Sequence, residues 1–117
     1  VPHADIATWN AAADALLVLG TSKNEFSYRY TAPMKLFEYL ASGRPIVAAN
    51  TPALRSLISE PGVDFYTPDD PADLAQKVAA VFSNSEKSRQ ASIYGPQAAR
   101  EHLWSKRAER ICAFVGT

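Results

Sequence analysis

Two continuous apolar runs mark the 117-residue chain. They are "ALLVLG", Ala15 to Gly20, and "PIVAA", Pro45 to Ala49. Short runs without alternation are typical of strands that are covered on both faces in a parallel sheet. A third segment, "GVDFYTPDD", places Val63, Phe65 and Thr67 in alternation with the residues between them, which predicts a shorter and less buried edge strand.

Apolar residues before, between and after these runs recur three and four positions apart, which predicts amphipathic helices. The predicted helices are residues 4–13, residues 33–42, and segments capped by Thr51, Asp70, Ser85 and Ser105. Their predicted inward-facing residues are Ile6, Trp9, Ala13, Met34, Phe37, Leu40, Ala41, Leu54, Leu57, Ile58, Leu74, Val78, Val81, Phe82, Ala108, Ile111, Cys112 and Val115. Residues 21–30 lack periodicity and are interpreted as a loop.

The helix over residues 33–42 has clear boundary signals. Thr31 is interpreted as its cap, Pro33 as its first position and Gly43 as its end. In the helix that Ser85 is expected to cap, the sequence "YGP" at residues 94–96 predicts a break or a kink, because proline removes a backbone donor.

The order of elements predicts an α/β fold, with parallel strands joined by right-handed crossovers and flanked by helices. About three strands are visible, whereas doubly wound sheets typically have about five or six. The sheet is therefore expected to be unusually small or to lack its first half. Residues 1–117 are interpreted as one unit, and the missing initiator methionine suggests a piece of a longer protein.

Charge and composition exclude several classes of partner. With 12 Lys and Arg residues against 12 Asp and Glu, the chain has neither the basic field of a nucleic-acid binder nor a polybasic membrane arm. Cys112 is the only cysteine, so no internal disulfide can form, and it is expected in the core. His3 and His102 lack partners at ligand spacing, so no metal site is expected. A Gly-rich phosphate loop and a nucleophile elbow are also missing from the sequence.

The acidic pair Asp69 and Asp70 could suggest a metal, but helix capping explains it better. Asp70 precedes Pro71 and is expected to accept hydrogen bonds from the free N–H groups of the helix start. Asp73 lies in the first turn, where the helix dipole favours negative charge. Helix capping is therefore favoured over a metal site as the explanation of this acidic pair.

Lys35 and Glu38 are the main candidates for binding. Being three residues apart, they could simply pair at the surface, for about 0.2–0.5 kcal/mol. Their helix, however, follows a loop that leaves the carboxyl end of a strand, where ligands bind in open α/β sheets. Free N–H groups at a helix start favour a phosphate, and Lys35 would add charge. Glu38, one turn further, could accept hydrogen bonds from two sugar or ribose hydroxyls.

The segment "APMKLFEYLASGRPIVAAN" resembles the donor-binding segment of the retaining, two-Rossmann-domain (GT-B) glycosyltransferases called group 1 or family 4. The similar family pattern is s-P-x-K-x-x-E-y-x-A-s-G-x-P-i-V-a-s. The stretches "DIATWNAAADALLVL", "VDFYTPDDPADLAQKVAAVFSN" and "HLWSKRAERICAFV" resemble further family segments in the same order. The resemblance thus covers essentially the whole chain.

The resemblance implies the latter part of a carboxyl-terminal Rossmann-like domain that binds a nucleotide-sugar donor, without its first strands and without the acceptor domain. By the same resemblance, Glu38 binds the ribose hydroxyls, and Pro33 and Met34 fall where relatives present backbone N–H groups to sugar and phosphate. Lys35 is the candidate for phosphate charge. Tyr30 stands where the family usually has a glutamate that contacts the donor sugar. No metal or cofactor is implied, and no catalytic residue is identified.

The implied function is sugar transfer with retention from a nucleotide-sugar to a hydroxyl of a glycan or lipid-linked saccharide. Positioned N–H groups and cations would stabilise the leaving diphosphate. The chain alone is expected to be inactive, and the full-length enzyme to be cytoplasmic or peripheral to the inner face of the membrane. Two alternatives remain: a non-catalytic module that self-associates through an unpaired sheet edge, and a related sugar-nucleotide epimerase.

Overall fold

The computed structural model describes residues 2–116 and contains a three-stranded parallel sheet flanked by helices. A 3₁₀ turn, His3–Asp5, leads into the first α-helix. The elements are α1 (Ile6–Ala12), β1 (Leu16–Val18), α2 (Glu25–Tyr30), α3 (Met34–Ser42), β2 (Ile46–Ala49), α4 (Pro52–Arg55), β3 (Asp64–Tyr66), α5 (Pro71–Ser83), α6 (Ser85–Glu101) and α7 (Trp104–Val115). The predicted α/β fold with about three parallel strands is confirmed.

The sheet has the order β1–β2–β3, so β2 is central. All four β2 residues are buried, as predicted for a strand covered on both faces. The same prediction is wrong for β1, because Leu17 and Leu19 are exposed while Leu16 and Val18 are buried. An edge strand that no described element covers on one face keeps every second side chain in solvent.

The edge position predicted for β3 is confirmed, but the predicted alternation is wrong. Phe65 and Tyr66 are both buried, and Thr67 is exposed. The intervening Asp64 is also partly covered, because Lys87 of α6 places its Nζ 2.6 Å from the Asp64 carboxylate. Because both faces of β3 are packed, burial does not alternate between successive residues of this strand.

The core lies where β2 meets α3, and it includes Leu36 and Leu40, which are fully buried. The predicted inner stripe of α3 is therefore displaced: Met34 is 77% exposed, Ala41 is exposed, and Phe37 is only partly buried. A helix buries the residues that face its neighbours, which apolar spacing alone does not fix.

The boundaries of α3 agree with the sequence at one end only. Gly43 ends the helix in the left-handed conformation, with φ 71°, as predicted. At the start, Pro33 is the N-cap rather than the first helical residue. Thr31 is not the cap, because its hydroxyl donates instead to the Phe26 carbonyl at 3.4 Å.

Helix α6 is continuous over 17 residues, so a break at residues 94–96 is wrong as a prediction. Pro96 lies inside the helix, and the preceding Gly95 packs directly on α3. A Cβ atom at Gly95 would overlap the Leu40 carbonyl oxygen. This close helix–helix contact stabilises α6 through proline, since tertiary packing overrides local propensity. The cap is the Asn84 side chain, not Ser85.

Other helix starts divide between confirmed and wrong predictions. Thr51 accepts from the Leu54 N–H at 3.2 Å, and Asp70 accepts from the Asp73 N–H at 3.1 Å, as predicted. Residues 21–30 are not all loop, because α2 begins after Asn24, whose side chain accepts from the Ser27 N–H at 3.0 Å.

Several residues predicted to face inward are exposed: Trp9, Phe82, Ala108, Ile111, Cys112 and Val115. In α1 the buried residue is Asn10, and α7 has no buried residue at all. Helix α7 begins after Leu103 rather than Ser105. Apolar spacing correctly marks one face of α7, but no element within residues 2–116 covers it. No helix in that range is both long and apolar enough to span a bilayer.

Candidate functional site

The carboxyl ends of all three strands lie at one edge of the parallel sheet. Three segments leave this edge: residues 19–24 after β1, Asn50 and Thr51 after β2, and residues 67–70 after β3. The segment after β1 continues through α2 to the amino end of α3. This is the edge at which open α/β sheets bind ligands, so the predicted site residues are located relative to it.

The amino end of α3 has no side-chain cap. The Leu36 N–H donates to the Pro33 carbonyl at 3.1 Å, which leaves the N–H groups of Met34 and Lys35 as the free donors of the first turn. Pro33 has no N–H, so of the two residues predicted to present backbone donors only Met34 can do so. An uncapped helix start of this kind favours an anion.

Glu38 lies one turn into α3, with its side chain 40% exposed. His3 of the 3₁₀ turn approaches it, with its Nδ1 3.9 Å from the carboxylate, and the two form an ion pair only when the imidazole is protonated. The alternative of a Lys35–Glu38 surface pair is not what the structure has, since Lys35 forms no ion pair within residues 2–116. No described donor occupies the Glu38 carboxylate, so both oxygens can accept hydroxyl hydrogen bonds.

Tyr30 ends α2 and is 68% exposed. Its ring packs at a tilt on Phe26, with ring centroids 6.1 Å apart. Arg29 pairs with Glu25 one turn earlier and lies over the Tyr28 ring. The structure thus places Pro33, Met34, Lys35 and Glu38 together on one helix end and Tyr30 on the preceding helix.

Asp69 lies at the same edge, and no pattern in the sequence predicts its contacts. Its Oδ2 accepts hydrogen bonds from the Thr21 hydroxyl at 3.1 Å, the Ser22 N–H at 2.9 Å and the Ser22 hydroxyl at 3.0 Å. The Ser22 backbone N–H, followed by the Thr21 hydroxyl, lowers the pKa of Asp69 below its usual value. The one sequence signal is an aspartate in a turn, a residue type that tolerates the left-handed conformation seen here, φ 63°.

The turn that carries Asp69 is itself fixed to α5. Asp73 accepts from the Thr67 N–H at 2.6 Å, which lowers the pKa of the Asp73 carboxyl. The adjacent Asp70 caps the helix. Carboxylates therefore organise both the turn after β3 and, through Asp69, the loop after β1.

Acid should destabilise the protein through these groups. Because the folded state lowers the pKa values of Asp69 and Asp73 below the ordinary value of 3.8 for an aspartate, their stabilisation is complete above that value. It is lost as the pH falls through the lower folded-state pKa values. We expect the Tm to fall on acidification towards pH 3 and to fall less steeply in Asp73→Asn. Thermal melts between about pH 7 and pH 3 measure this, with Asp14→Asn as the control; equal slopes in wild type and Asp73→Asn would contradict it.

Neither a cluster of metal ligands nor the best-formed cavity of the described residues lies at this edge. Within residues 2–116 no three His, Cys, Asp or Glu side chains come together as a metal site. A cavity of about 700 Å³ lies instead at the amino edge of the sheet, next to Asp14, Arg44 and Pro45. It includes none of the predicted site residues.

Comparison with known proteins identifies related sequences and folds. The profile of a family described as "Glycosyl transferase-like" matches residues 1–113. The chain also resembles the structure of a sucrose-phosphate synthase from Thermosynechococcus elongatus, with a TM-score of 0.77 at 20% sequence identity. That alignment covers 98% of this chain and 28% of the synthase, so the chain spans little more than a quarter of it. A search of curated proteins gives no match.

Proposed function

Because the chain belongs to the glycosyl transferase-like family, we propose that it forms part of the nucleotide-sugar site of a retaining glycosyltransferase. Its fold is that of the latter part of a GT-B carboxyl-terminal Rossmann-like domain. The reaction would move a sugar from the nucleotide to a hydroxyl of a glycan or of a lipid-linked saccharide. The matched portion of the synthase is partial, so transfer would also need residues outside this chain.

The observation that carries the proposal is the uncapped start of α3, followed one turn further along by Glu38, whose carboxylate accepts no hydrogen bond from the described residues. The Met34 and Lys35 N–H groups and the Lys35 ammonium would bind the donor diphosphate. Glu38 would accept hydrogen bonds from the two ribose hydroxyls. One helix end then contacts two parts of the same donor.

Binding the diphosphate in this way also accounts for catalysis. Negative charge develops on the leaving diphosphate as the bond to the sugar breaks. Donors already aimed at that charge stabilise it without reorganising. Tyr30, exposed at the end of α2, would contact the donor sugar in place of the family's usual glutamate.

Replacing Glu38 tests the proposal directly. In the full-length protein, Glu38→Ala is expected to weaken nucleoside diphosphate binding by about 1–3 kcal/mol, because hydrogen bonds between the ribose and a charged group are lost. Isothermal calorimetry with UDP, GDP and ADP measures the effect. Glu101→Ala, at the exposed end of α6, is the control and should leave the affinity unchanged.

Unchanged nucleotide affinity in Glu38→Ala would contradict the proposed contact between Glu38 and the ribose hydroxyls. The second candidate is a non-catalytic module that self-associates, and one observation favours it. Among residues 2–116, β1 is paired on one side only, and Leu17 of β1 and the following Leu19 are exposed. Unpaired strand edges recruit other strands. Absence of nucleotide binding, together with concentration-dependent association in sedimentation equilibrium, would favour this candidate.

A further inference from the structure

We propose that Asp69 is a positioning residue for the donor: it fixes the loop after β1 and thereby the path of the chain into α2 and the start of α3. Its contacts with Thr21 and Ser22 are called the Asp69 brace below. The part of the inference that concerns the donor rests on the proposed function. The brace itself does not, because it is a contact between two loops of this chain.

The brace joins segments that are far apart in sequence. The donors at Thr21 and Ser22 are 48 and 47 residues from Asp69, and all three donate to the same oxygen, Oδ2. The brace therefore links the carboxyl end of β1 to that of β3, across the central strand. Three donors on one carboxylate oxygen fix the loop more closely than a single hydrogen bond would.

The backbone at Asp69 supports a dedicated role. Its φ of 63° lies in the left-handed region, which side-chain-bearing residues seldom adopt. Such conformations persist where the surrounding structure imposes them. Here the surroundings are the Thr67 N–H bound by Asp73 and the Asp70 cap, which together fix the turn on α5. The brace is thus anchored on a helix of 13 residues.

Hydrogen bonds continue from the brace towards the candidate site. The Thr21 hydroxyl donates to Asp69 and at the same time accepts from the Lys23 N–H at 3.1 Å. The next residue, Asn24, caps α2 through the Ser27 N–H. Helix α2 ends at Tyr30, three residues before Pro33. These hydrogen bonds hold consecutive residues of the loop from Thr21 to Asn24. We therefore expect the brace to determine where α2 begins.

Asp69 acts through the loop rather than on the donor. Its Oδ2 already accepts hydrogen bonds from three donors. A carboxylate placed next to a diphosphate would also repel it, because both groups carry negative charge. Loss of the brace is expected to release residues 21–24 and to misplace the start of α2 without removing any group that touches the nucleotide. Small displacements of a binding group weaken binding and slow reaction strongly.

Four variants of the full-length protein test the brace: Asp69→Ala, Asp69→Asn, Ser22→Ala and the Asp69→Ala/Ser22→Ala double variant. Asp14→Asn, an exposed aspartate at the opposite edge, is the control. Amide hydrogen exchange followed by mass spectrometry reports on residues 21–24. Calorimetry with the nucleoside diphosphate that wild type binds most tightly reports on the donor, and thermal melts report on global stability.

Asp69→Ala should lose protection at residues 21–24 and lose nucleotide affinity. Its Tm should fall, because the Asp69 carboxylate also stabilises the fold, but the protein should stay folded at the temperature of the calorimetry. Asp69→Asn keeps an acceptor oxygen and tolerates the left-handed conformation. It should therefore restore most of the protection at residues 21–24 and most of the nucleotide affinity. The double variant should be no worse than Asp69→Ala, because the two side chains act through one contact. Asp14→Asn should match wild type.

Unchanged exchange in Asp69→Ala would overturn the brace. If Asp69→Ala does not fold, Ser22→Ala, which removes one of the three donors, should still show a partial loss of protection, and unchanged exchange in that variant would then overturn the brace. Lost protection with unchanged nucleotide affinity would overturn the positioning role. If wild type itself binds no nucleoside diphosphate, the proposed function and the positioning role both fail, while the exchange data still decide whether the brace exists.

Discussion

Replacing Gly95 with alanine is expected to destabilise the protein by about 1–3 kcal/mol, the usual cost of overpacking a well-packed contact. In an exposed helix the same change would stabilise by about 1 kcal/mol, because alanine is the better helix former. Here a Cβ atom at Gly95 would overlap the Leu40 carbonyl oxygen, and that oxygen belongs to the α3 backbone, which cannot rotate away as a side chain can. Helices α3 and α6 would have to separate.

Urea unfolding of wild type and Gly95→Ala measures this effect. Gln97→Ala is the matched control, because Gln97 is exposed on the same helix. It should change the free energy of unfolding by less than about 0.5 kcal/mol. A Gly95→Ala variant as stable as wild type would show that the two helices can move apart without loss.

Breaking the ion pair between Lys87 and Asp64 is expected to cost about 1–3 kcal/mol of stability in either single variant, Lys87→Met or Asp64→Asn. The two side chains are only 26% and 22% exposed, so removing one partner leaves the other poorly solvated. Together they connect α6 to β3 at 2.6 Å. The double variant should lose less than the sum of the singles, since it leaves no unpaired charge.

Thermal and urea unfolding of the four proteins in this cycle gives the coupling energy. The pair between Lys106 and Glu109 on α7 is the control, because its atoms are 3.7 Å apart and its side chains are 47% and 68% exposed. Exposed pairs contribute about 0–1 kcal/mol, so that cycle should show little coupling. Equal coupling in the two cycles would mean that burial adds nothing at Lys87.

Local signals in the sequence were sufficient for much of the fold. The buried strand β2 follows from four consecutive apolar residues, and the caps at Thr51 and Asp70 follow from residue type and position. Gly43 ends α3 because a left-handed position favours glycine. Each of these features depends on interactions within about four residues, which the sequence displays directly.

Burial could not be predicted in the same way, because it depends on which partners are present. The spacing of Ile111, Cys112 and Val115 marks an apolar face on α7, yet all three are exposed among the described residues. Pro96 shows the opposite case: a residue that disfavours a helix lies inside one because α3 packs against its neighbour. Spacing reports amphipathic character, whereas packing decides burial.

In the candidate site, too, the features that depend on local sequence could be predicted, and the contacts between distant residues could not. The position of Lys35 and Glu38 at a helix start near the carboxyl edge could be predicted from element order, and their role in donor binding stays a prediction. The link from Asp69 to Ser22 could not be predicted, because no local pattern pairs residues 47 positions apart. The Glu38 contact with His3 was missed for the same reason, since the two lie on different elements.

The continuity of α6 constrains the number of residues between its contacts. Lys87 reaches β3 and Gly95 packs on α3 from the same uninterrupted helix, eight positions apart in the numbering. Adding or removing one residue between them would rotate one contact by about 100° and shift it by about 1.5 Å along the axis. Both contacts could not then form at once. Length variation in this part of the chain is therefore expected in the loops, because the spacing within α6 determines whether both contacts can form.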